Sequence, residues 1–318
     1  MRYEFIINPK AGKKSAEEWL FPKVREYFES HHLSYGLNLT KYSGHATEIT
    51  RAIAEGGEEV RVIAMGGDGT LCEVANGAVN HSNVTAGVLP CGSGNDYIRM
   101  FGTKDDFLDI DRMVNGTAYP VDMIENDRIN AMNICCAGID AAVALNMVKY
   151  KKMPLVSGSM AYNLALVRAF FGKIGNQLRL TIDGQLATEG KYLLTAVANG
   201  CSYGGGYYAS PNSIVNDGLL DVIMIRVPKT RFLIPILLKA YKEGKHLTDP
   251  RFKSLLQVFQ GKEIQIEAAK PMAFTADGEC DLCQSRTYTV IEKVIHFLVP
   301  QGCSTECLKN VETVVASK

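Results

Sequence analysis

Val60-Arg61-Val62-Ile63-Ala64-Met65-Gly66-Gly67-Asp68-Gly69-Thr70 is the stretch that decides the fold. Val60–Met65 is almost wholly apolar and short, as a strand buried on both faces must be. It runs directly into three glycines within four positions, and Leu71–Val79 behind them has helical spacing. Glycines cost stability, so they fit where backbone must reach φ > 0 and approach a ligand closely. The following helix would offer free N–H groups and the positive end of its dipole, which suits phosphate. Asp68 is no anion binder. A carboxylate facing phosphate needs a cation between them, so Asp68 implies Mg2+. A plain strand-to-helix turn would explain neither the three glycines nor the aspartate.

Working outward, the first ~125 residues repeat this grammar. Strands are expected at Glu4–Ile7, Gly36–Leu39, Val60–Met65 and Thr85–Leu89, and helices at Ala16–Ser30, Ala46–Ala54 and Leu71–Val79. The β-α-β-α-β order predicts a Rossmann-like parallel sheet with helices on both faces, forming a nucleotide-binding α/β domain over residues 1–125. Ligands of such sheets bind at the carboxyl ends of the strands. Two further glycine loops stand at those ends: Asn8-Pro9-Lys10-Ala11-Gly12 after the first strand, and Pro90-Cys91-Gly92-Ser93-Gly94-Asn95-Asp96 after Thr85–Leu89. Ser93 and Asn95 can donate to phosphate or ribose, and Asp96 is a second carboxylate. Each loop alone is weak, but three in one sheet converge on one crevice.

After Pro120 the texture changes. Strands are expected at Ile129–Cys135, Gln177–Ile182, Lys191–Ala198, Leu219–Ile225, Glu263–Ala268 and Tyr288–Leu298. Turn dipeptides such as Asp183-Gly184, Asn199-Gly200 and Asp217-Gly218 separate many of them. Helical patterns interrupt near Ala141–Val148, Met160–Phe171 and Arg231–Lys242. The expectation is an antiparallel β-sandwich domain with helical insertions over residues 126–300. The polar tail 301–318 is left free to return to the first domain.

Composition bounds the function. The chain has 318 residues, enough for two domains at roughly 100–200 residues each. Lys+Arg and Asp+Glu are both 34, so no global basic field exists to displace counterions from nucleic acid. Nucleic acid is therefore set aside as a partner. No charged segment precedes a long apolar stretch at the N-terminus, which argues against a signal peptide. The longest apolar runs, Phe232–Leu238 and Leu164–Phe171, fall far short of the ~20 residues of a spanning helix. A cytoplasmic protein is expected, either soluble or peripheral on the inner face of the membrane. Cys280, Cys283, Cys303 and Cys307 make C-x2-C and C-x3-C pairs that resemble a structural zinc site. A strand turn plus a loose tail explains them at least as well.

Gly66-Gly67-Asp68-Gly69-Thr70 with Glu73 and Asn76, followed by Gly92-Ser93-Gly94-Asn95-Asp96, resembles the diacylglycerol kinase catalytic family. That family includes bacterial soluble lipid kinases and the sphingosine and ceramide kinases. The likeness continues in order through Val121-Asp122, Ala137-Gly138-Ile139-Asp140, Asn199-Gly200, Gly204-Gly205-Gly206, Ser210-Pro211, Asp217–Asp221 and Asp277-Gly278-Glu279. It spans about residues 3–300. The first glycine motif alone is shared with NAD kinases and phosphofructokinases.

The resemblance implies roles. Asn8, Pro9, Lys10, Ala11, Gly12, Thr40, Gly66, Gly67, Gly69, Thr70, Gly92, Ser93, Gly94 and Asn95 would hold ATP. Asp68 and Asp96 would organise the catalytic Mg2+. Glu279 would be the general base that takes the proton of the acceptor hydroxyl. Asp217, with the carbonyls of Ile214 and Leu219, would hold a structural Mg2+, although Asp217-Gly218 also reads as a hairpin turn. Ala11 stands where the family has Ser or Gly, and Ser93 stands where it has Thr; the second change keeps the hydroxyl. Lys149, Lys151, Lys152 and Arg168 read either as a basic face for anionic lipid heads or as a solvated helix surface. The expected function is transfer of the γ-phosphoryl group of ATP to the hydroxyl of a lipid at a membrane surface. NAD kinase-like phosphorylation of a ribose hydroxyl is the alternative, and a silent nucleotide- or lipid-binding regulator is the third reading. The sequence leaves a homodimer open.

Overall fold

The computed structural model describes residues 1–12, 14–151 and 174–309. The helix expected over Met160–Phe171, with Lys152 and Arg168, lies outside them, and of Lys149 and Lys151 only the backbone is described. The chain divides into two compact units. One comprises Met1–Met123, Ile214–Gly218 and Ile291–Lys318; the other comprises Ile124–Ser213 and Leu219–Val290.

The first unit opens with β1 (Arg2–Ile7), α1 (Ala16–Trp19), α2 (Phe21–Ser30), β2 (Tyr35–Leu39), α3 (His45–Glu55), β3 (Val60–Gly66), α4 (Asp68–Ala78) and β4 (Val84–Pro90). β1 pairs in parallel with β2 and β3, and β3 pairs in parallel with β4. All seven residues of β3 are buried. Its one cation, Arg61, donates to Tyr3 Oη at 3.0 Å, Val114 O at 2.7 Å and Gly116 O at 3.1 Å, so the buried guanidinium is hydrogen-bonded. Helix α2 buries Phe21, Val24 and Phe28 on one stripe, and Phe28 meets Tyr3 and Phe5 edge-on at centroid distances of 4.9 and 5.2 Å.

The single helix expected over Ala16–Ser30 is two helices that break at Leu20. Pro22 has no N–H to give a preceding turn and is tolerated only in the first turn of α2. Helix α4 begins at Asp68 rather than Leu71, with Leu71 N donating to Gly67 O at 3.1 Å. The motif residues Asp68, Gly69 and Thr70 are thus the first helical turn, not loop.

Short helices α5 (Lys104–Leu108) and α6 (Ile110–Val114) lead into β5 (Thr117–Glu125). Segment 214–218 is stitched to the end of this strand: Asp122 N donates to Val215 O at 2.7 Å, and Asp122 accepts from Gly218 N at 2.8 Å and Lys293 N at 2.7 Å. Val215 N donates in turn to Cys307 O at 2.9 Å, and Lys309 N to Asn216 Oδ1 at 2.7 Å. Residues through Lys309 therefore pack within the first unit. Its sheet is widened by His296 and Phe297, which pair in parallel with Thr85 and Ala86 of β4.

The second unit holds β6 (Ile134–Gly138), α7 (Ile139–Lys151), β7 (Asn176–Ile182), β8 (Gln185–Ala198), β9 (Leu220–Arg226), the helix Leu233–Lys242, β10 (Leu256–Gly261), β11 (Glu263–Ala276) and the first part of β12 (Glu279–Val299). Pairing is antiparallel in the order β10-β9-β8-β6-β11-β12, with β7 bonded to both β8 and β11. Asp183 (φ 49°) and Gly184 (φ 77°) make the tight β7–β8 turn, as an Asp-Gly pair predicts. Asn199-Gly200 and Asp217-Gly218 make no hairpin; the first pair donates both its N–H groups to Asn133 O. β11 runs on to Ala276 past an irregularity between Glu267 and Met272, where Pro271 cannot donate to the ladder. β6 starts at Ile134, five residues later than expected, and Ala131 instead bridges back to Ile124. β5 and the edge strand β10 were not expected from the sequence; in β10 the half-buried and exposed positions alternate from Gln257, but apolar and polar residues do not follow them. Among the described residues no helix is long and apolar enough to cross a membrane.

Candidate active site

The carboxyl ends of β1, β2, β3 and β4 open onto a cavity of about 520 Å³ in the first unit. Asn8, Lys10, Ala11, Gly12, Thr40, Gly67, Gly69, Thr70, Gly92 and Ser93 line it, as do Lys41, Tyr42, Ser43 and Glu73. Pro9, Gly66, Gly94 and Asn95 belong to the same loops but are not among the lining residues, and neither are Asp68 and Asp96. Lys41, Tyr42 and Ser43 were not singled out in the sequence because their loop carries no glycine cluster. The signal available was position alone, since they follow β2 at its carboxyl end.

The loops hold one another through the backbone. Asn8 N donates to Met65 O at 3.1 Å, and Asn8 Nδ2 to Thr70 Oγ1 at 3.2 Å, tying the first loop to the start of α4. Cys91 N and Gly92 N both donate to Gly66 O, at 2.7 and 3.0 Å. A Cβ on Gly92 would lie 2.5 Å from Gly67 Cα, and one on Gly66 would lie 2.3 Å from Thr70 Oγ1. Gly12 combines φ +79° with a Cβ position 2.4 Å from Cys91 O.

These contacts correct one expectation. Gly66, Gly67 and Gly69 do not have positive φ; Gly67 is extended at φ −106°. Gly66 is required by the close approach of the Thr70 side chain, and a Cβ on Gly67 would press against Gly92 Cα at 3.2 Å. Gly69 is different: among the described residues a Cβ there meets nothing within 4 Å and points into open space beside the cavity. Neither packing nor backbone conformation asks for glycine at Gly69, and a helix disfavours it.

Asp68 and Asp96 come together. Asp68 Oδ1 accepts from Asp96 N at 2.7 Å and Tyr97 N at 3.2 Å. A Cβ on Gly94 would sit 3.0 Å from Asp68 Oδ2 and 3.2 Å from Asp96 Oδ2, so both second oxygens face the space that Gly94 leaves free. Burial, and then the neighbouring Asp96 charge, push the Asp68 carboxyl above the usual carboxylate range, while the Tyr97 and Asp96 N–H groups pull it back. Asp96 is buried and pairs with Arg99 Nε at 3.1 Å. Two hard carboxylate oxygens aimed at one space form a donor set suited to Mg2+. Asn95 holds φ +51°, and its buried Oδ1 has no hydrogen-bond partner among the described residues while Nδ2 donates to Gly92 O at 2.7 Å.

Glu73 lines the cavity and also serves the fold. Its carboxylate accepts from Gly44 N at 2.9 Å and Ala46 N at 3.1 Å, capping α3, whose own N-cap residue is Gly44.

Glu279 lies in the second unit, exposed, and is not among the cavity-lining residues. It follows a tight turn of Asp277 (φ 43°) and Gly278 (φ 91°) that joins β11 to β12. Asp277, quoted above only as part of a motif, fixes that turn. Its carboxylate accepts N–H bonds from Met132 at 2.7 Å, Asn133 at 3.2 Å and Ile134 at 3.0 Å. Nearby in the same unit, Asp140 accepts from Tyr203 Oη at 2.8 Å and Ala141 N at 2.8 Å, and burial raises its carboxyl.

Asp217 acts electrostatically on Asp122 within the first unit. Among the described residues no group of three or more His, Cys, Asp or Glu is placed to hold a metal ion. Cys280 and Cys283 fall in the second unit, and Cys303 and Cys307 in the first.

Residues 2–126 match the family model for the diacylglycerol kinase catalytic domain, and residues 133–299 match that for the YegS C-terminal NAD kinase beta sandwich-like domain. A diacylglycerol kinase of Bacillus subtilis is 26% identical over 303 residues, covering 94% of this chain and 97% of that protein. A Pseudomonas aeruginosa protein named "Probable lipid kinase YegS-like" is 30% identical over 245 residues, covering 76% and 77%. The crystal structure of a diacylglycerol kinase from Bacillus anthracis superposes with a TM-score of 0.67 at 20% identity, over 94% of this chain and 97% of that one, a likeness of fold.

Proposed function

The chain belongs to the diacylglycerol kinase family, and from that premise we propose that it moves the γ-phosphoryl group of ATP onto the hydroxyl of a lipid such as a diacylglycerol. The observation that carries the nucleotide half is Gly69. A glycine in the first turn of a helix, with open space where its Cβ would be, keeps room for a group that must approach the backbone closely. Phosphate has that requirement, and the N-terminus of α4 supplies N–H groups and dipole to meet it.

On this reading the first unit works as a Rossmann-like platform. The loops Asn8–Gly12, Gly66–Thr70 and Gly92–Asn95 cradle the phosphates, and Thr40, Lys41 and Tyr42 flank the rest of the nucleotide. Asp68 and Asp96 would hold Mg2+, which supplies charge neutralisation at the transferring phosphoryl group. Asp68 is oriented for this by the backbone N–H groups of Asp96 and Tyr97, which both donate to Oδ1. Glu279 is the base: its carboxylate takes the proton of the attacking hydroxyl, and Asp277 holds the turn that presents it. Asp217 with the carbonyls of Ile214 and Leu219 would take a second, structural Mg2+.

The experiment is transfer of label from γ-labelled ATP to a panel of diacylglycerol, a sphingoid base and NAD, with Mg2+ and with excess chelator. The expected product is a Mg2+-dependent labelled phospholipid in the organic phase. Label on NAD alone, or transfer that persists in chelator, overturns the proposal.

A further inference from the structure

Glu73 puts a carboxylate in the wall of a cavity whose proposed ligand is itself an anion. Its place along α4 resolves the conflict. Gly69 and Glu73 are four residues apart, on one face of the helix, and both line the cavity. Gly69 stands in the first turn, where N–H groups and dipole favour phosphate. Glu73 stands one turn further on, beside the chain that follows β2.

Both oxygens of Glu73 are engaged. Oε1 accepts from Gly44 N at 2.9 Å and Oε2 from Ala46 N at 3.1 Å. These N–H groups open α3, whose N-cap residue Gly44 holds φ +88° and has no side chain to do the capping. The positive end of α3 therefore offsets the Glu73 charge, and Glu73 replaces the missing cap. Thr47 Oγ1 donates to Glu73 O at 2.8 Å, a second link between the two helices.

The same first turn of α3 holds the cavity wall formed by Lys41, Tyr42 and Ser43. Lys41 N donates to His45 Nδ1 at 3.1 Å, and His45 N to Tyr42 O at 3.3 Å. The Tyr42 and His45 rings lie 4.6 Å apart, and Tyr42 Oη donates to Glu48 Oε2 at 2.6 Å. Lys41, Tyr42 and Ser43 are exposed, so bonds to α3 rather than burial restrain them. The glycine loops are held differently, through Met65 O, Gly66 O and Thr70 Oγ1.

We propose that Glu73 is a positioning residue for the nucleoside half of the nucleotide. It clamps the start of α3 to α4 and so keeps Lys41, Tyr42 and Ser43 as a preformed wall, while the phosphate loops stand without it. This rests on the nucleotide reading of the cavity. A triphosphate seated at the start of α4 turns its uncharged nucleoside, not its anionic end, toward the Glu73 carboxylate.

The test is titration calorimetry of ATP and of inorganic tripolyphosphate, each with Mg2+, on the full chain. Glu73→Ala and Glu73→Gln remove the same charge, but Gln keeps one acceptor oxygen for α3. Glu73→Ala should raise the Kd for ATP relative to that for tripolyphosphate about tenfold, and Glu73→Gln about threefold. Thr47→Val breaks the other link between the two helices; it should lower Tm and leave the ratio unchanged. Hydrogen exchange at Gly44 and Ala46 should quicken in Glu73→Ala while residues 66–70 and 92–96 keep their protection. If Glu73→Ala does not fold, Glu73→Gln carries the same comparison. An unchanged ratio, equal loss of both ligands, unchanged exchange at Gly44 and Ala46, or a ratio that Thr47→Val shifts as far overturns the proposal. So does a wild type that binds tripolyphosphate as tightly as ATP, since the wall then contributes nothing. A wild type that binds neither sinks the nucleotide reading, and this proposal with it.

Discussion

Replacing Gly69 with alanine separates what the fold needs from what the ligand needs. Gly69 occupies the second position of α4, its φ is not in the left-handed region, and a Cβ there meets no heavy atom of the described residues within 4 Å. The apo-protein should therefore gain stability. The full helix-interior advantage of alanine over glycine is about 0.5–1 kcal/mol. A first-turn position realises the lower end, ~0.5 kcal/mol, which raises Tm by about 1–2 °C in a unit of this size. Nucleotide affinity should move the other way, because the added methyl takes the space next to the α4 N–H groups that phosphate would occupy. A loss of one or two charge-assisted hydrogen bonds, at about 1.5–3 kcal/mol each, is at least a tenfold rise in Kd. Differential scanning calorimetry of the apo-protein and titration calorimetry with a non-hydrolysable ATP analogue read the two effects separately. A Gly69→Ala protein that is stabler and binds nucleotide as the wild type does would refute the phosphate-cradle argument. A destabilised one would refute the packing argument beneath it.

Asp68→Asn should stabilise the metal-free protein at neutral pH while removing turnover. Asn keeps the Oδ1 acceptor for Asp96 N and Tyr97 N and removes a buried like charge. The folded Asp68 carboxyl titrates above its unfolded value of 3.8, so ionising it disfavours the fold. The Tm advantage of the variant should be absent below about pH 3.8, grow as pH rises through the raised folded value, and then level off; a constant offset across pH would contradict this. Glu279→Gln should lower kcat by about 10²–10⁴ with ATP affinity unchanged, and near wild-type turnover in a steady-state assay would remove Glu279 as the base. Asp277→Ala strips the acceptor from three backbone N–H groups and should cost several kcal/mol in urea unfolding. If that variant unfolds at the wild-type midpoint, Asp277 is not the anchor of the turn.

Strands β1, β3 and β4 of the first unit could be read because each is a dense apolar run with a glycine loop behind it, and buried parallel strands have no other pattern to hide in. The edge strand β10 escaped because its burial alternates from Gln257 on while its chemistry does not: Gln257 is half-buried and Val258 is exposed, so no apolar/polar alternation marks it. β5 escaped for another reason: Pro120 lies inside it, and proline reads as a strand breaker unless an edge position is known. The return of residues 214–218 to the first unit was invisible because its bonds, Gly218 N to Asp122 and Val215 N to Cys307 O, join residues more than ninety positions apart.

At the site, sequence by itself determined the chemistry on offer: glycine loops after strands, two aspartates among them, and a third carboxylate behind Asp277-Gly278. Local spacing suffices there, because a strand, a tight loop and a helix start are fixed within a dozen residues. Only the tertiary structure decided why each glycine is present. Gly66 and Gly67 yield to Thr70 and Gly92 across the loop, Gly12 to the Cys91 carbonyl, and Gly69 to open space. It alone assigned Glu73 to capping α3 and Asp277 to gripping Met132, Asn133 and Ile134, and it alone left Phe232 in solvent. The physical reason is that a side chain's task depends on what long-range packing brings to within 4 Å of it, and no local pattern carries that.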